Sequence, residues 1–278
     1  MNLEIQSWYG RFGNNLTQLC HVVWLAKKKR YNITYIPEHP LIDTRKIPKK
    51  HLVHSTHKFT KTRRTRFFQM KEVHDVLGTD KISPSIKEYR QILQDVVWPC
   101  ISKDITISDP FPKETVVIHI RSGDCFTENK ETPHPDYVPL PFSWYKNIFQ
   151  KYSKNWNRAI IVTENDQINP VIIALKNYLC TEYNIPTDIQ SDKIKKDAQT
   201  ILRARSLILS IGYFSKILAL LSKNVENLYI SNYMFDYNEL NTIPDINVHY
   251  DEIKNYISIG DWKCTQIQRD QILNHSDL

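Results

Sequence analysis

The stretch from Val116 to Phe126, VVIHIRSGDCF, carries residue types that suit the binding of an anion. His119 and Arg121 are two residues apart at the end of a β-branched run, so on a strand they lie on the same face. Gly123 allows the chain to turn, and Asp124 follows it. Arginine presents its N–H donors in a planar fork that fits a diphosphate. An Arg121–Asp124 ion pair that only fixes the turn is the alternative interpretation.

Two other stretches place glycine between an apolar run and a helical pattern. GRFGNN, residues 10–15, has the glycines for a tight turn, and the N–H groups of the helix that follows attract anions. Its spacing differs from the dinucleotide fingerprint GxGxxG. In SLILSIGYFSKILALLS, residues 206–222, Gly212 separates a strand from a helix that carries Ser215 in its first turn. Taken alone, each stretch is also typical of a structural turn.

The elements around these motifs predict the fold class. After Lys113, short apolar strands alternate with helices of 10 to 15 residues, which indicates a parallel sheet covered on both faces. The N-terminal part begins in the same way. We therefore predict an α/β protein with two Rossmann-like domains facing each other across a cleft, residues 1–110 and 111–278, the last helix packing back on the first domain. The predicted strands are 3–9, 32–37, 116–120, 159–164, 187–191, 206–211 and 227–231, and the predicted helices are 15–30, 85–101, 141–154, 169–183, 194–204 and 213–224.

The charge of +7 is concentrated in one segment. Between Asp43 and Glu72 there is no acidic residue, and three histidines lie among the cations. The segment fits a solvated loop, a rim that attracts an anionic substrate, or a surface for nucleic acid or another polyanion. Its members are Arg45, Lys46, Lys49, Lys50, Lys58, Lys61, Arg63, Arg64, Arg66 and Lys71, with His51, His54 and His57.

The five cysteines and the apolar pattern exclude several other classes. The cysteines are odd in number and form no CxxC pair, which predicts free thiols and no zinc site, and Cys125 is expected to be structural. No window approaches 18 apolar residues, so we expect no membrane span. The N-terminal residues lack the order of an export signal.

These motifs together resemble those of a known family. GRFGNN resembles the GRFGNQ or GGLGNQ loop of the fucosyltransferase superfamily, which includes the α1,2-fucosyltransferases and the protein O-fucosyltransferases. HIRSGD is similar to its HxRRGD motif, and LILSIGYFSKILALLS to its third motif, a strand followed by S-x-S-S-F-S and an apolar helix. YVPLPFSWYKNIF, residues 137–149, resembles its L-P-x-x-Y-Y segment. The order and spacing of the four motifs span most of the chain.

The resemblance implies an inverting GT-B glycosyltransferase that needs neither a metal nor a cofactor. It would move a sugar from a nucleoside-diphosphate sugar, GDP-fucose first, to a hydroxyl of an oligosaccharide or other glycan. Because no export signal or membrane anchor is visible in the sequence, we expect a cytoplasmic bacterial or viral enzyme rather than a Golgi luminal one. Arg121 would hold the donor's β-phosphate and His119 would lie near the nucleotide. The implied roles of the other residues are the diphosphate for Gly212, Tyr213, Phe214 and Ser215, the nucleoside for Asp197, and the sugar and acceptor for Gly10, Arg11, Gly13 and Asn14.

Several alternatives stay open at the level of the sequence. A base for the acceptor hydroxyl should be a carboxylate or a histidine in the cleft, and Asp124, Glu128 and Asp136 are the candidates on the loop after HIRSGD. Ser122 replaces the family's second arginine, and Gly-Tyr-Phe-Ser replaces Ser-Ser-Phe-Ser, so a UDP-sugar such as UDP-xylose is the alternative donor. A sugar-nucleotide-binding module without turnover is a second alternative. A non-catalytic protein that binds a polyanion through residues 45–71 is a third, although nucleic acid is not the expected partner.

Overall fold

The computed structural model describes residues 1–53, 61–79, 82–103, 105, 109–126, 133, 135–164, 168–234 and 237–276. The chain divides into two compact units. The first unit is Met1–Thr106 with Leu220–Lys223, and the second is Ile107–Ala219 with Asn224–Leu278. This division falls close to the boundary expected between residues 110 and 111.

The first unit contains a three-stranded parallel sheet with the order β2-β1-β3. Its strands are β1 (Asn2–Ile5), β2 (Asn32–Tyr35) and β3 (Thr62–Thr65), and its helices are α1 (Phe12–Lys29), α2 (Lys49–Leu52), α3 (Met70–Leu77) and α4 (Ile86–Ile92). Strand β3 was not predicted from the sequence, because TRRT has no apolar residue and lies exposed at the edge of the sheet. The predicted helix over 85–101 continues from α4 through a π turn and then a 3₁₀ turn at Trp98–Cys100, where Pro99 ends it.

Helix α1 begins at Phe12, earlier than the predicted start at residue 15. Gly13 and Asn14 therefore lie in its first turn rather than in a loop. The helix is held by a buried apolar face, and its last turn carries three lysines, which suits the negative end of the helix dipole. Most of the helix is buried, and its fully buried apolar residues include Leu16, Leu19, Val22, Val23 and Ala26.

The second unit contains a six-stranded parallel sheet with the order β6-β5-β4-β7-β8-β9. Numbered within the unit, this is the 3-2-1-4-5-6 order of the Rossmann fold. The direction of winding reverses between β4 and β7, so the ligand crevice of such a sheet is expected at their carboxyl ends. The strands are β4 (Thr115–His119), β5 (Arg158–Val162), β6 (Thr187–Gln190), β7 (Ser206–Ile208), β8 (Asn227–Ser231) and β9 (Asn247–Asp251).

Helices cover this sheet and bury its apolar strands. They are α5 (Phe142–Tyr152), α6 (Val171–Glu182), α7 (Ile194–Arg203), α8 (Tyr213–Leu221), α9 (Tyr237–Leu240) and α10 (Gln266–Asn274). Strand β9 was not predicted from the sequence, because NVHYD lacks a continuous apolar run and is only partly buried at the edge of the sheet. Each unit taken by itself is thus an α/β fold around a parallel sheet, as the sequence predicts.

The last helix corrects one expectation. Ile272 of α10 is fully buried in the core of the second unit, and α10 packs on α5 and α6. Its buried face therefore lies on the second unit, whereas we expected it to pack back on the first. None of the helices in the described part of the chain is long and apolar enough to cross a membrane.

Candidate functional site

Arg121 lies where the strand order of the second unit reverses. It follows β4 by two residues, and its backbone N–H donates to Ser210 Oγ at 3.1 Å, two residues beyond the end of β7. Gly212 has φ +90°, and a Cβ at that position would collide with Nη1 of Arg121. The backbone conformation therefore favours glycine here, and a Cβ would displace the guanidinium that packs against this residue.

The guanidinium of Arg121 is held on one edge and on one face. Nε donates to Asp124 Oδ1 at 3.2 Å, and Nη2 donates to Asp124 Oδ2 at 2.9 Å. The Tyr137 ring covers a face, with 4.0 Å between Cζ and the ring centroid. The Arg121 side chain is only 14% exposed. These contacts leave Nη1, beside Gly212, as the part of the fork that points toward the start of α8.

His119 is a buried neutral imidazole. Burial, and to a smaller extent the charge of Arg121, lowers its pKa to about 3. Its ring centroid lies 5.6 Å from that of Phe214 in the first turn of α8. Within the described residues, Nδ1 has no hydrogen-bond partner. A buried polar atom without a partner costs stability, so a ligand atom that reaches it would gain a hydrogen bond.

The N-terminus of α8 offers further groups for an anion. Ser215 is fully buried, and among the described residues its Oγ has no partner. Lys216, only 6% exposed, places its ammonium 5.3 Å from the centroid of the Tyr213 ring. Lys216 was not among the predicted site residues, although a lysine on an apolar helix next to a turn is a usable signal. A helix N-terminus with a buried cation favours a negatively charged ligand.

Strand β5 contributes a second carboxylate that the sequence analysis missed. Glu164, two residues beyond β5, accepts a hydrogen bond from the backbone N–H of Ser122 at 2.6 Å. The neighbouring Thr163 is buried, and its Oγ1 has no partner in the part of the chain that the structure describes. A polar pair directly after the apolar run AIIV would have been a usable signal for both.

Asp197 lies in the first turn of α7, close to the same edge. It is 8% exposed and accepts hydrogen bonds at Oδ1 from Gln190 Nε2 at 2.9 Å and from the Asp192 N–H at 3.4 Å. Burial raises its pKa to about 6, and the charges of Asp192 and Glu164 add to this rise. The second unit thus brings together His119, Arg121, Asp124, Gly212, Tyr213, Phe214 and Ser215 around β4 and β7, with Asp197 beyond β6.

The glycine loop belongs to the first unit and is held by its own neighbours. Gln18 Nε2 donates to Ser7 O at 3.0 Å, and the Tyr9 N–H donates to Gln18 Oε1 at 2.7 Å. Asn15 Nδ2 donates to Tyr9 O at 3.0 Å, and Nε2 of His39 lies 3.1 Å from Asn15 Oδ1. Gly10 has φ +66°, while Arg11 is an exposed residue at the N-cap of α1.

Several predicted residues have other outcomes. Glu128 lies outside the described residues, as do His54, His57 and Lys58 of the basic segment. Asp136 lies partly exposed in the loop before α5. In the basic segment, Arg66 lies over the Tyr9 ring and pairs with Glu72. No group of three or more His, Cys, Asp or Glu side chains that could hold a metal ion occurs among the residues described.

Comparisons with known proteins give structural similarity only. No protein-family model matches the chain, and no curated protein matches it significantly. The chain is similar to POFUT1 in complex with GDP, at 13% identity and a TM-score of 0.46, over 89% of this chain and 97% of the other. It is also similar to the ADP-heptose heptosyltransferase II of E. coli, at 8% identity and a TM-score of 0.42, over 98% and 96% of the two chains. A family 9 glycosyl transferase from Veillonella parvula matches at 10% identity and a TM-score of 0.40, over 91% and 86%. Similarities at this level concern the fold and assign no residue.

Proposed function

We propose that the second unit binds the diphosphate of a nucleoside-diphosphate sugar and that the protein is a glycosyltransferase. The observation that carries the proposal is the position of Arg121. Its guanidinium packs against Gly212, directly before α8, at the point where the strand order reverses. A fixed guanidinium and a helix N-terminus are the donors that a diphosphate requires.

The charges at this edge suit a leaving diphosphate. When the bond between the sugar's anomeric carbon and the β-phosphate oxygen breaks, its electron pair stays on the diphosphate, and the acceptor oxygen forms the new bond to carbon. Donors already in place stabilise that developing charge without having to reorganise. Because Asp124 neutralises part of the charge of Arg121, the N-terminus of α8 supplies additional positive potential.

The proton of the acceptor hydroxyl needs a separate base. Both oxygens of Asp124 accept hydrogen bonds from Arg121, so we assign Asp124 to holding that side chain. His119, with its pKa lowered to about 3 mainly by burial, is neutral at physiological pH and has a place beside the nucleotide. Glu128 and Asp136 stay as the proposed bases.

GDP-fucose is our first choice of donor, and inversion at the anomeric carbon without a metal ion is part of the proposal. The choice of GDP-fucose rests on the resemblance of HIRSGD and of the loop GRFGNN to the family's motifs. A UDP-sugar such as UDP-xylose is the alternative donor, because GYFS departs from the family pattern. The acceptor in both cases is a glycan hydroxyl.

A thermal-shift panel tests the proposal. GDP, UDP, CDP and dTDP are added separately, each with and without EDTA, and one of them should raise the melting temperature as its concentration exceeds its Kd. The corresponding donor sugar should then be hydrolysed slowly without an acceptor, with EDTA making no difference. A protein that no nucleoside diphosphate stabilises would contradict the proposal. Binding to a polyanion that weakens steeply with salt and survives Arg121→Ala would favour the basic segment instead.

A further inference from the structure

We infer that Asn169 is a positioning residue that fixes the main chain of Arg121, and that Ser122 serves this same network rather than the choice of donor. The inference rests on the proposed role of Arg121 in binding a diphosphate. The side chains of Glu164, Asn169 and Ser210, here called the Arg121 bracket, come from the loops after β5, before α6 and after β7.

The Arg121 bracket takes up the backbone polar groups of residues 121 and 122. The Arg121 N–H donates to Ser210 Oγ at 3.1 Å, and Arg121 O accepts from Asn169 Nδ2 at 2.9 Å. The Ser122 N–H donates to Glu164 Oε2 at 2.6 Å. From Arg121 onward, side chains therefore replace the backbone hydrogen bonds of the sheet, and they fix the position of the Arg121 main chain.

Asn169 connects this segment to a helix. It is 2% exposed, and its Oδ1 accepts from the Val171 N–H at 3.0 Å in the first turn of α6. Its backbone N–H donates to Ser122 Oγ at 3.0 Å. One side chain thus caps a helix through its oxygen and holds Arg121 through its nitrogen. The two functions can be separated by changing only the amide nitrogen.

Ser122 is internal to the same network. It is fully buried, its hydroxyl accepts from Asn169, and its N–H is bound by Glu164. Its side chain therefore helps to hold Arg121 in place through its hydrogen bond with Asn169. We accordingly place the selection of the donor elsewhere than at residue 122.

The test compares Asn169→Ser with Asn224→Ala. Serine keeps an oxygen that can cap α6 but has no amide to hold Arg121 O. Asn224 is the matched control, because its Nδ2 donates to Leu202 O at 2.9 Å in the same unit, before the amino end of β8. Each substitution removes the side-chain amide that donates to a backbone carbonyl.

The first readout is a double-mutant cycle on the Kd of the nucleoside diphosphate that stabilises the protein. Asn169→Ser should weaken binding about tenfold in the wild-type background and not at all in Arg121→Ala, because it acts through Arg121. Asn224→Ala should leave the Kd unchanged. An equal loss in both backgrounds would overturn the inference, since it would show that Asn169 acts independently of Arg121.

A second readout needs no ligand. In protein labelled with ¹⁵N-arginine, the Arg121 Nε–H should exchange slowly with water, because it donates to Asp124. Asn169→Ser should accelerate this exchange at least fivefold, while Asn224→Ala should not. Unchanged exchange in Asn169→Ser would refute the positioning role. If no nucleotide binds to the wild type, the proposed function fails, and the exchange measurement still decides the role of Asn169.

Discussion

Two arginines, one in each unit, have nearly the same immediate partners. Arg66 follows β3 directly, lies 4.8 Å over the Tyr9 ring and pairs with Glu72 at 3.4 Å. Arg121 lies 4.0 Å over the Tyr137 ring and pairs with Asp124 at 2.9 Å. The carbonyl of each is held by a buried side-chain amide, at 2.6 Å by Gln18 and at 2.9 Å by Asn169.

Their surroundings differ. The Arg66 side chain is 45% exposed at the end of an edge strand, and Glu72 is also occupied by the backbone N–H groups of Phe68 and Gln69. The Arg121 side chain is 14% exposed between the two strands where the order reverses, against Gly212 and α8. The contacts of an arginine therefore do not identify a ligand site by themselves. The position of its strand and the donors beside it make the difference.

The carboxyl ends of the strands form one edge of the sheet in each unit, here called the first and the second edge. These two edges also differ in how many of their buried polar atoms have hydrogen-bond partners. In the first unit, Gln18 and Asn15 are engaged with neighbouring backbone and side chains. In the second unit, atoms of His119, Thr163 and Ser215 have no partner among the described residues. Such atoms lower stability in the free protein and are available to a ligand. We therefore interpret the first edge as rigid support and the second as a binding edge.

Replacing Arg121 or Arg66 by alanine should give the largest difference between the two units. Arg121→Ala should weaken nucleoside diphosphate binding and reduce the rate of transfer by about a hundredfold or more, the usual cost of losing one donor to developing negative charge. Arg66→Ala should change neither by more than about twofold. Titration calorimetry and turnover with the donor sugar measure both. Equal effects of the two substitutions would remove the distinction between the edges.

Ionisation of the buried Asp197 should lower the free energy of unfolding at neutral pH. Burial raises its pKa from 3.8 to about 6, so the folded protein binds this proton more tightly than the unfolded chain. The cost of ionising it therefore appears as the pH rises from about 4 through 6 and is complete above about 7. Asp197→Asn should stabilise the protein by up to about 3 kcal/mol at pH 7.5 and hardly at pH 3.5.

Urea denaturation at several pH values measures this gain in stability. The control is Asp188→Asn on β6, because Asp188 forms an exposed ion pair with Arg158. A gain that does not grow with pH would show that Asp197 ionises normally. If Asp197 also contacts the nucleoside, the same variant should bind nucleotide more weakly while being more stable.

Two glycines with positive φ separate backbone strain from the packing of Arg121. Gly212 has φ +90° and Gly260 has φ +99°, but a Cβ at Gly260 would meet no atom within 4 Å. Both alanine variants should lose about 1 to 2 kcal/mol of stability through strain. Gly212→Ala should in addition displace the guanidinium and weaken nucleotide binding about tenfold. Similar nucleotide affinity in the two variants would contradict the contact between Gly212 and Arg121.

Replacing two buried threonines, one at each edge, should give the smallest change in stability and allows the two edges to be compared directly. Thr17 Oγ1 donates to Gly13 O at 3.1 Å in the first unit, whereas Thr163 Oγ1 lacks a partner among the described residues. Thr17→Val should destabilise the protein by about 1 kcal/mol, and Thr163→Val should stabilise it by about the same amount. Chemical denaturation at one pH measures both. A loss of stability in Thr163→Val would mean that its hydroxyl is already satisfied.

The sequence predicts this molecule well where the pattern is local. The apolar runs before His119 and Gly212, and the helix that carries Ser215 in its first turn, are confirmed in the structure. Strand β3 escaped because its residues are polar, and the start of α1 was placed late because its glycine and asparagines read as a loop. The network around Arg121 could not be predicted, since its hydrogen bonds join residues 42 to 89 positions apart.

A crystal structure of the protein with its bound nucleoside diphosphate tests the central claim most directly. We predict that β-phosphate oxygens lie within hydrogen-bond distance of the Arg121 guanidinium and of the first N–H groups of α8, with Ser215 Oγ or His119 Nδ1 newly bonded to the ligand. A diphosphate bound instead at the first unit, on Arg66 or on the cations of β3, with Arg121 still only paired with Asp124, would contradict the account.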